Sequence, residues 1–456
     1  MITARAWAGK HYAVYGLARS GLATVAALLA SGARVTAWDA NAEARAKLSP
    51  LEGGGQDKAL TGGPVPAEEP PQSSALTAPP AGEQLVIADL DTADLTQFDS
   101  FVVTPGLPLN RHPIAGRARD AGVEIIGDIE LFARARPELP PHKVVGITGT
   151  NGKSTTTALV HQILQTAGVP TTMGGNIGLP ILAQDPLPEG GVYVLELSSY
   201  QLDLTQSLDC DVAVLLNITP DHLDRYESFE AYAASKMRLF GMQSVGHASI
   251  FDVDDGDRWA FDADTIPHPM APYSAGKYSE LGPALAGPHN QANATFAAAV
   301  CRILGLNRWD VDKTMLSFVG LPHRMERVAT RDGVTFVNDS KATNPTATAP
   351  ALAAFPAIRW ILGGQAKSDD LDECAPHFGH VRSAYTIGEA AELFERLLKP
   401  HMTVKNCGKL DVAVRVAAAD AEGGDTVLLS PACASFDQFR DFEDRGDQFR
   451  ELVGAL

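Results

Sequence analysis

The sequence is short of three things, and each shortage excludes a class of protein. Cysteine is scarce: Cys210, Cys301, Cys374, Cys407 and Cys433 are odd in number, widely spaced and never in a C-x-x-C pair. That pattern argues against a disulfide framework and a zinc site, and suits a reducing compartment. No apolar run reaches the ~18 residues of a spanning helix, and the opening MITARAWAGKHYAVYG carries Arg5 and Lys10 where a signal peptide needs an apolar core. A cytoplasmic chain without membrane insertion is expected. Basic residues are outnumbered, 37 Lys and Arg against 55 Asp and Glu, for a formal net charge of −18. Broad attraction to nucleic acid or anionic lipid is therefore disfavoured, and an anionic small ligand needs a local positive site. The 456 residues, with 45% hydrophobic and 20% charged, fit a globular protein of several domains.

The residue pattern is α/β throughout. HYAVYG reads as a buried strand, LARSG as a turn, LATVAALLASG as a helix and ARVTAWD as the next strand, the order of a nucleotide-binding unit. Strands LVIAD and SFVVTPG follow. Between them and the first unit, residues 53–82 hold six Pro and six Gly, too little apolar surface to offset ordering entropy, and read as a flexible surface insertion; a Pro-rich docking segment is the alternative. A second α/β unit starts at KVVGITGTNGKST and continues through VYVLELS and DVAVLLNI, and a third contains VTFVNDS, IRWILGG, SAYTIG and DTVLLSP. The expected architecture is three domains, at 1–126, 127–320 and 321–456: an N-terminal Rossmann-like domain, a central P-loop-type mononucleotide-binding parallel sheet and a C-terminal Rossmann-like domain.

The most specific local signal is Gly149-Thr150-Asn151-Gly152-Lys153-Ser154-Thr155, between an apolar strand and a helix pattern. Small residues let backbone N–H groups close on phosphate oxygens, the helix N-terminus adds positive potential, a Lys at position 153 meets the terminal phosphates and Ser154 can ligate Mg²⁺. The strict motif would place its first glycine at 147, which is Ile147, with Gly146 and Gly149 on either side. Glu196 in LELSSYQL and Asp221, His222 and Asp224 in NITPDHLDRY follow later strands, where side chains at the carboxyl edge face the ligand crevice. Oxygen and imidazole donors beside a phosphate loop suit Mg²⁺-assisted phosphoryl chemistry. Near the start, Gly16 and Gly21 bracket a turn in which Ala18 replaces the middle glycine of a dinucleotide fingerprint; the turn can still seat a diphosphate on a helix N-terminus. Asp39, ending the second strand, is placed for a ribose or uracil group. Lys236 sits on a helix pattern one turn after Tyr232, and by itself reads as a surface lysine.

Taken in order, YGLARSG, GITGTNGKST, MGGNIG, LELSSYQL, NITPDHLDRY, the lysine of AASK, GPHNQANA, GLPHRME, VNDSKATNP, LGGQAKSDD and LLSPACASFDQFRDFEDRG resemble the Mur ligase family along nearly the whole chain apart from the insertion. The resemblance implies ATP-dependent amide formation, with UDP-N-acetylmuramoyl-L-alanine and D-glutamate as substrates and two Mg²⁺ ions; a monomer is expected because no apolar stripe demands a partner. Lys153, Glu196, His222 and Lys236 match the catalytic positions; Ser154, Glu196, His222 and a carbamylated Lys236 match the metal site. Asn290, Asn293, Arg324 and Asp339 join the phosphate loop as ATP contacts. Ala18, Arg19, Ser20, Asp39, Gly106, Asn176 and His222 match the UDP-sugar site, and Lys341, Thr343, Lys367, Ser435 and Phe442 the D-glutamate site. ATP would then bridge two domains, and hinge closure would shield an acyl phosphate from water. Gln365 departs from the acidic residue expected in the G-G-x-x-K segment, and the D-N-P-R stretch of the diaminopimelate-adding relatives is missing. A ligase of this fold with a different acceptor, such as the L-alanine-adding or folylpolyglutamate type, is the nearest alternative; a non-catalytic nucleotide-binding module and a NAD(P)-dependent dehydrogenase are the others, the last opposed by Ala18 and the Lys153 loop.

Overall fold

A computed structural model describes residues 1–48, 84–221, 225–251, 281–285, 288–366 and 368–456. The expected 53–82 insertion, His222, Asp224 and Lys367 lie outside these residues. Sixteen strands are described, β1 (His11–Tyr15), β2 (Arg34–Trp38), β3 (Leu85–Ile87), β4 (Ser100–Val103), β5 (Ile125–Ile126), β6 (His142–Thr148), β7 (Thr171–Gly175), β8 (Gly191–Glu196), β9 (Val212–Leu215), β10 (Ala248–Phe251), β11 (Glu326–Arg331), β12 (Val334–Asn338), β13 (Ile358–Gly363), β14 (Val381–Ile387), β15 (Thr403–Gly408) and β16 (Thr426–Leu429). They form three sheets, and the chain clusters into two compact units: Met1–Lys153 with Gly168–Tyr273, and Ser154–Ala167 with Ser274–Leu456.

The first unit contains two parallel sheets, ordered β3-β2-β1-β4-β5 and β10-β9-β6-β8-β7. Their strands are near-continuous apolar runs such as VYVLE, buried along the whole of β8, as expected for sheets covered on both faces. One hydrophobic cluster runs from Trp7, Val14 and Val35 through Phe132 to Tyr193, Leu215 and Phe240. The helix Asp128–Ala135 lies within that cluster and buries seven of its eight residues. Glu130 fixes it there, its buried carboxylate accepting from Arg134 Nε at 2.8 Å, Gln206 N at 2.7 Å and Ser207 N at 2.9 Å.

In the second sheet β6 lies between β8 and β9. The loop after β6 is therefore flanked by the ends of both neighbours, which carry Glu196 and, two residues beyond β9, Asn217. The second unit has one six-stranded sheet, β11-β12-β16-β13-β14-β15, in which only β11 runs antiparallel. β12, β16 and β13 are adjacent there. The segments that follow them, NDSKAT, SPACAS and GGQ, consequently emerge at one carboxyl edge. Among the described residues, no helix is long and apolar enough to cross a membrane.

Candidate active site

The phosphate loop is held from below by residues of the β9 end. Thr150 N donates to Asn217 O at 2.9 Å, Asn151 N donates to Asn217 Oδ1 at 2.9 Å, and Asn217 Nδ2 returns a bond to Asn151 O at 3.1 Å. Thr150 Oγ1 accepts from Thr219 N at 3.0 Å and lies 3.0 Å from the Tyr232 hydroxyl. Gly149 makes this approach possible. Its φ is +150°, and a Cβ there would stand 3.1 Å from Leu216 Cβ and 3.3 Å from the Asn217 backbone, so any side chain would open the loop. The helix Lys153–Thr166 starts directly after it, in the arrangement that presents backbone N–H groups to an anion.

Two lysines converge on one oxygen of this loop. Lys153 Nζ donates to Gly149 O at 2.8 Å and to Thr150 O at 2.7 Å, and Lys236 Nζ donates to the same Gly149 O at 2.9 Å. Lys236 comes from the helix Phe229–Gly241, whose cap is Ser228 accepting from Ala231 N. Its side chain is only 2% exposed, with Nζ 4.6 Å from the Tyr232 ring centre. The surface-lysine reading of that position is thus replaced by a buried amine. Burial, and then the nearby Lys153 charge, push Lys236 down to about 6, against smaller opposing effects of Asp221 and Asp203. At neutral pH the amine is mostly uncharged.

Glu196 ends β8 and is buried. Its Oε1 accepts from Asn176 Nδ2 at 2.9 Å, and Asn176 N donates to Glu196 O at 2.8 Å. The structure so joins a position assigned from the sequence to the UDP sugar with one assigned to the metal. At the first sheet's carboxyl edge, Ala18 caps the helix Arg19–Ala30, and Asp39 Oδ2 accepts from Leu17 N at 2.7 Å. Asp39 shapes the Gly16–Gly21 turn directly. Arg19 Nη2 donates to Gly178 O at 2.8 Å; Ser20 follows it on the helix, and Gly106 O accepts from Arg225 Nη1 at 3.2 Å.

The second unit holds the remaining positions. Asn290 and Asn293 are buried on one face of the helix Pro288–Ile303, with Asn293 Nδ2 donating to Asn290 Oδ1 at 3.2 Å. Arg324 Nη2 donates to Ser154 Oγ at 2.9 Å; Thr155 follows in the helix. Arg324 stands between His323 at φ +61° and Met325 at φ +46°, two left-handed residues without glycine's freedom, each costing on the order of 1–3 kcal/mol. Neighbours over-determine both: His323 N donates to Glu326 Oε2 at 2.9 Å and Met325 N to Asp339 Oδ1 at 3.1 Å. Such strain persists only where the surroundings hold it in place, and Arg324 lies between these two strained residues. Asp339 also accepts from Ser430 Oγ at 2.8 Å, and burial drives its carboxyl up to about 7, moderated by these hydrogen bonds and by Arg324.

Around the three loops, Lys341 Nζ lies 5.1 Å from the Phe442 ring centre, Ser435 is buried, and Thr343 is half-buried on the same segment as Lys341. Gln365 is used through its backbone, its N donating to Ala434 O at 2.9 Å and its O accepting from Ala434 N at 3.0 Å. The side chain at 365 takes no part in that pairing. Sequence reasoning missed Asn217, the clamp of Thr150 with Tyr232, the His323–Asn338 pair at 3.0 Å and the buried Arg445. A polar residue just past the apolar run VAVLL was the one available signal, for Asn217. Gly446 belongs with this group: a Cβ there would stand 2.1 Å from His323 Nδ1. Gly446→Ala, which favours an ordinary helix interior by about 1 kcal/mol, should here destabilise by about 2–3 kcal/mol through overpacking, read as a lowered thermal midpoint.

Comparison with known proteins settles the lineage. Residues 147–280 match the Mur ligase middle domain and residues 323–433 the Mur ligase, glutamate ligase domain. The UDP-N-acetylmuramoylalanine–D-glutamate ligase of Novosphingobium aromaticivorans is 56% identical, covering 100% of this chain and 97% of the relative. The chain belongs to the Mur ligase family. The protein of the same name from Zymomonas mobilis is 52% identical over the full length of both. Among solved structures, the UDP-N-acetylmuramate-alanine ligase of Thermotoga maritima superposes with a TM-score of 0.59 at 16% identity, covering 98% of this chain and 99% of that one. The MurF ligase of the same organism, in complex with ADP, gives 0.57 at 15% identity over 99% and 97%. These two establish the shared Mur ligase fold, α/β with predominantly parallel sheets.

Proposed function

We propose that this chain is an ATP-dependent ligase that joins D-glutamate to UDP-N-acetylmuramoyl-L-alanine, forming an amide with release of ADP and phosphate in peptidoglycan precursor synthesis. The full-length identity to ligases named for that reaction supports it. The structural observation that carries it is the pair of lysines on Gly149 O, close above a phosphate-type loop. An amide cannot form directly from a carboxylate, because oxide is a poor leaving group. A carboxylate oxygen of the sugar substrate attacks the γ-phosphorus of ATP, the bond to ADP breaks, and an acyl phosphate results. The amine of D-glutamate then attacks the acyl carbon, a tetrahedral oxyanion forms, and phosphate departs while the nitrogen loses its proton.

Charge builds first on phosphoryl oxygens and then on that oxyanion, so fixed cations are the main requirement. Lys153 and the loop N–H groups meet it at the phosphates, and Arg324, between its strained neighbours, adds a second cation. Asn290, Asn293 and Asp339 receive the nucleoside. Ala18, Arg19, Ser20, Asp39, Gly106 and Asn176 receive the UDP sugar, and Lys341, Thr343, Ser435 and Phe442, with Lys367, receive the dicarboxylate, whose two charges suit two ammonium groups.

Among the described residues no cluster of three His, Cys, Asp or Glu could cage a metal. The hard oxygens of Glu196 and Ser154 fit Mg²⁺, which takes few protein ligands and completes its shell with phosphate and water. Held by these two, and at a second position by His222 and Lys236, magnesium would neutralise phosphate charge. The Lys236 amine, uncharged at neutral pH, has the lone pair that adds to CO₂; with loss of one proton it becomes a carbamate, an oxygen ligand where an ammonium would repel the ion.

The test is phosphate release from ATP with Mg²⁺ and UDP-N-acetylmuramoyl-L-alanine, comparing D-glutamate, L-glutamate, L-alanine and meso-diaminopimelate. Release only with D-glutamate is expected. Release with another amine would retain the ligase chemistry and overturn the acceptor assignment, whereas release with none would leave a nucleotide-binding role. The same protein should run as a monomer in sedimentation.

A further inference from the structure

The end of the chain contains a fully buried cation whose bonded partners, among the described residues, are all uncharged. Arg445, in the helix Phe442–Gly454, is 0% exposed. Its Nε donates to Ser340 Oγ at 2.9 Å, Nη2 to Ser340 O at 2.8 Å and to Cys433 O at 3.1 Å, and Nη1 to Ala434 O at 3.3 Å. Burial of this charge pushes the guanidinium down to about 10. The Asp437 charge opposes that push only weakly; a buried charge with no carboxylate hydrogen-bonded to it is an expensive way to stabilise a fold, and an apolar side chain of similar volume would pack the same space at less cost.

What the guanidinium accomplishes is geometric. A planar fork with five donors can join several backbone carbonyls in one fixed arrangement, which a lysine cannot. Here it joins the segment after β12, the segment after β16 and the final helix. Ser340 extends the link, its hydroxyl donating to Phe442 O at 2.8 Å. Ala434 extends it further, because its carbonyl also accepts from Gln365 N, which draws in the segment after β13. Those segments hold Lys341, Thr343, Ser435 and Phe442.

We infer that Arg445 is the positioning residue of the D-glutamate site, setting the spacing of the ammonium, hydroxyl and aromatic groups without touching the amino acid. The inference rests on the D-glutamate reading above. Arg445→Lys keeps a cation and loses the fork; Ser340→Ala removes the hydroxyl that links the guanidinium to Phe442 and leaves three carbonyl bonds. In the phosphate-release assay Arg445→Lys should raise KM for D-glutamate about tenfold or more, with KM for ATP and for the UDP sugar within about twofold of wild type. Ser340→Ala should shift KM for D-glutamate in the same direction by a smaller factor.

A purely structural role would lower kcat alike for every substrate through a reduced active fraction, leaving all three KM values in place, and that result overturns the inference. If Arg445→Lys does not fold, Ser340→Ala decides: an unchanged KM for D-glutamate overturns it. Wild-type release that does not depend on D-glutamate would overturn the ligase reading and this inference with it, while D-glutamate-dependent wild type with unmoved KM in the variants overturns only the role of Arg445.

Discussion

Lys236→Ala should lose about a hundred- to a thousandfold in ATP- and D-glutamate-dependent phosphate release, the scale of removing one preorganised group that stabilises developing charge, while the thermal midpoint changes little or rises. The two readouts diverge because the amine is expensive to bury. Lys236 is almost fully enclosed, makes a single described hydrogen bond to Gly149 O and sits near a second lysine. Its removal relieves desolvation and leaves a methyl group in a pocket walled by Tyr232. If the carbamate is what the reaction needs, short carboxylates such as acetate or formate should restore part of the activity by entering the space left behind. Full activity in the variant, with no effect of added carboxylate, would remove both Lys236 and its carbamate from the mechanism.

Asp339→Asn should stabilise the protein at neutral pH while weakening ATP binding. The wild-type carboxyl is held up at about 7 by burial, against an ordinary value of 3.8. The folded state therefore binds this proton more tightly than the unfolded chain. The corresponding stability is fully present below about pH 4 and is lost as pH rises through about 7, amounting to on the order of 4 kcal/mol across the window. Asparagine escapes that loss, and the local bonds accommodate it: the amide oxygen can accept from Met325 N, and the amide nitrogen can donate to Ser430 Oγ, whose proton can turn to Thr348 Oγ1 at 3.1 Å. Urea titrations should show a difference between variant and wild type near zero at pH 4 that grows toward pH 8. A pH-independent difference would show that Asp339 does not carry this linkage. The nucleotide should dissociate more readily from the variant, since a neutral amide replaces the acid proposed to receive the ribose.

Both experiments address residues placed by the same mechanism. A stable scaffold carries a few groups held in unfavourable surroundings: an uncharged lysine, a raised carboxyl, two left-handed residues around Arg324 and a buried guanidinium bonded to uncharged groups. Each costs stability and each lies beside a segment assigned to substrate, which is the usual exchange of stability for function.

Much of this was legible in the amino-acid order. The apolar runs of the parallel strands in the three sheets, the strand–loop–helix around Gly149 and the helix bearing Lys236 follow from local periodicity and composition, because an apolar strand and a glycine-rich turn are defined by residues adjacent in the chain. Strands β7, β10, β11 and β15 escaped that reading, since pairing with a neighbour, not local pattern, makes them strands. The family, too, is carried by short ordered segments and needs no coordinates.

What the sequence could not determine is how groups far apart in the chain share one atom. That Lys153 and Lys236 meet on Gly149 O, that Asn217 cradles the loop, and that Gln365 works through its backbone are consequences of strand order, which puts β6 between β8 and β9 and brings β12, β16 and β13 side by side. Burial has the same origin: a lysine one helical turn from a tyrosine is unremarkable in a row of letters, and becomes an uncharged amine only when the packed helix and the phosphate loop remove it from water.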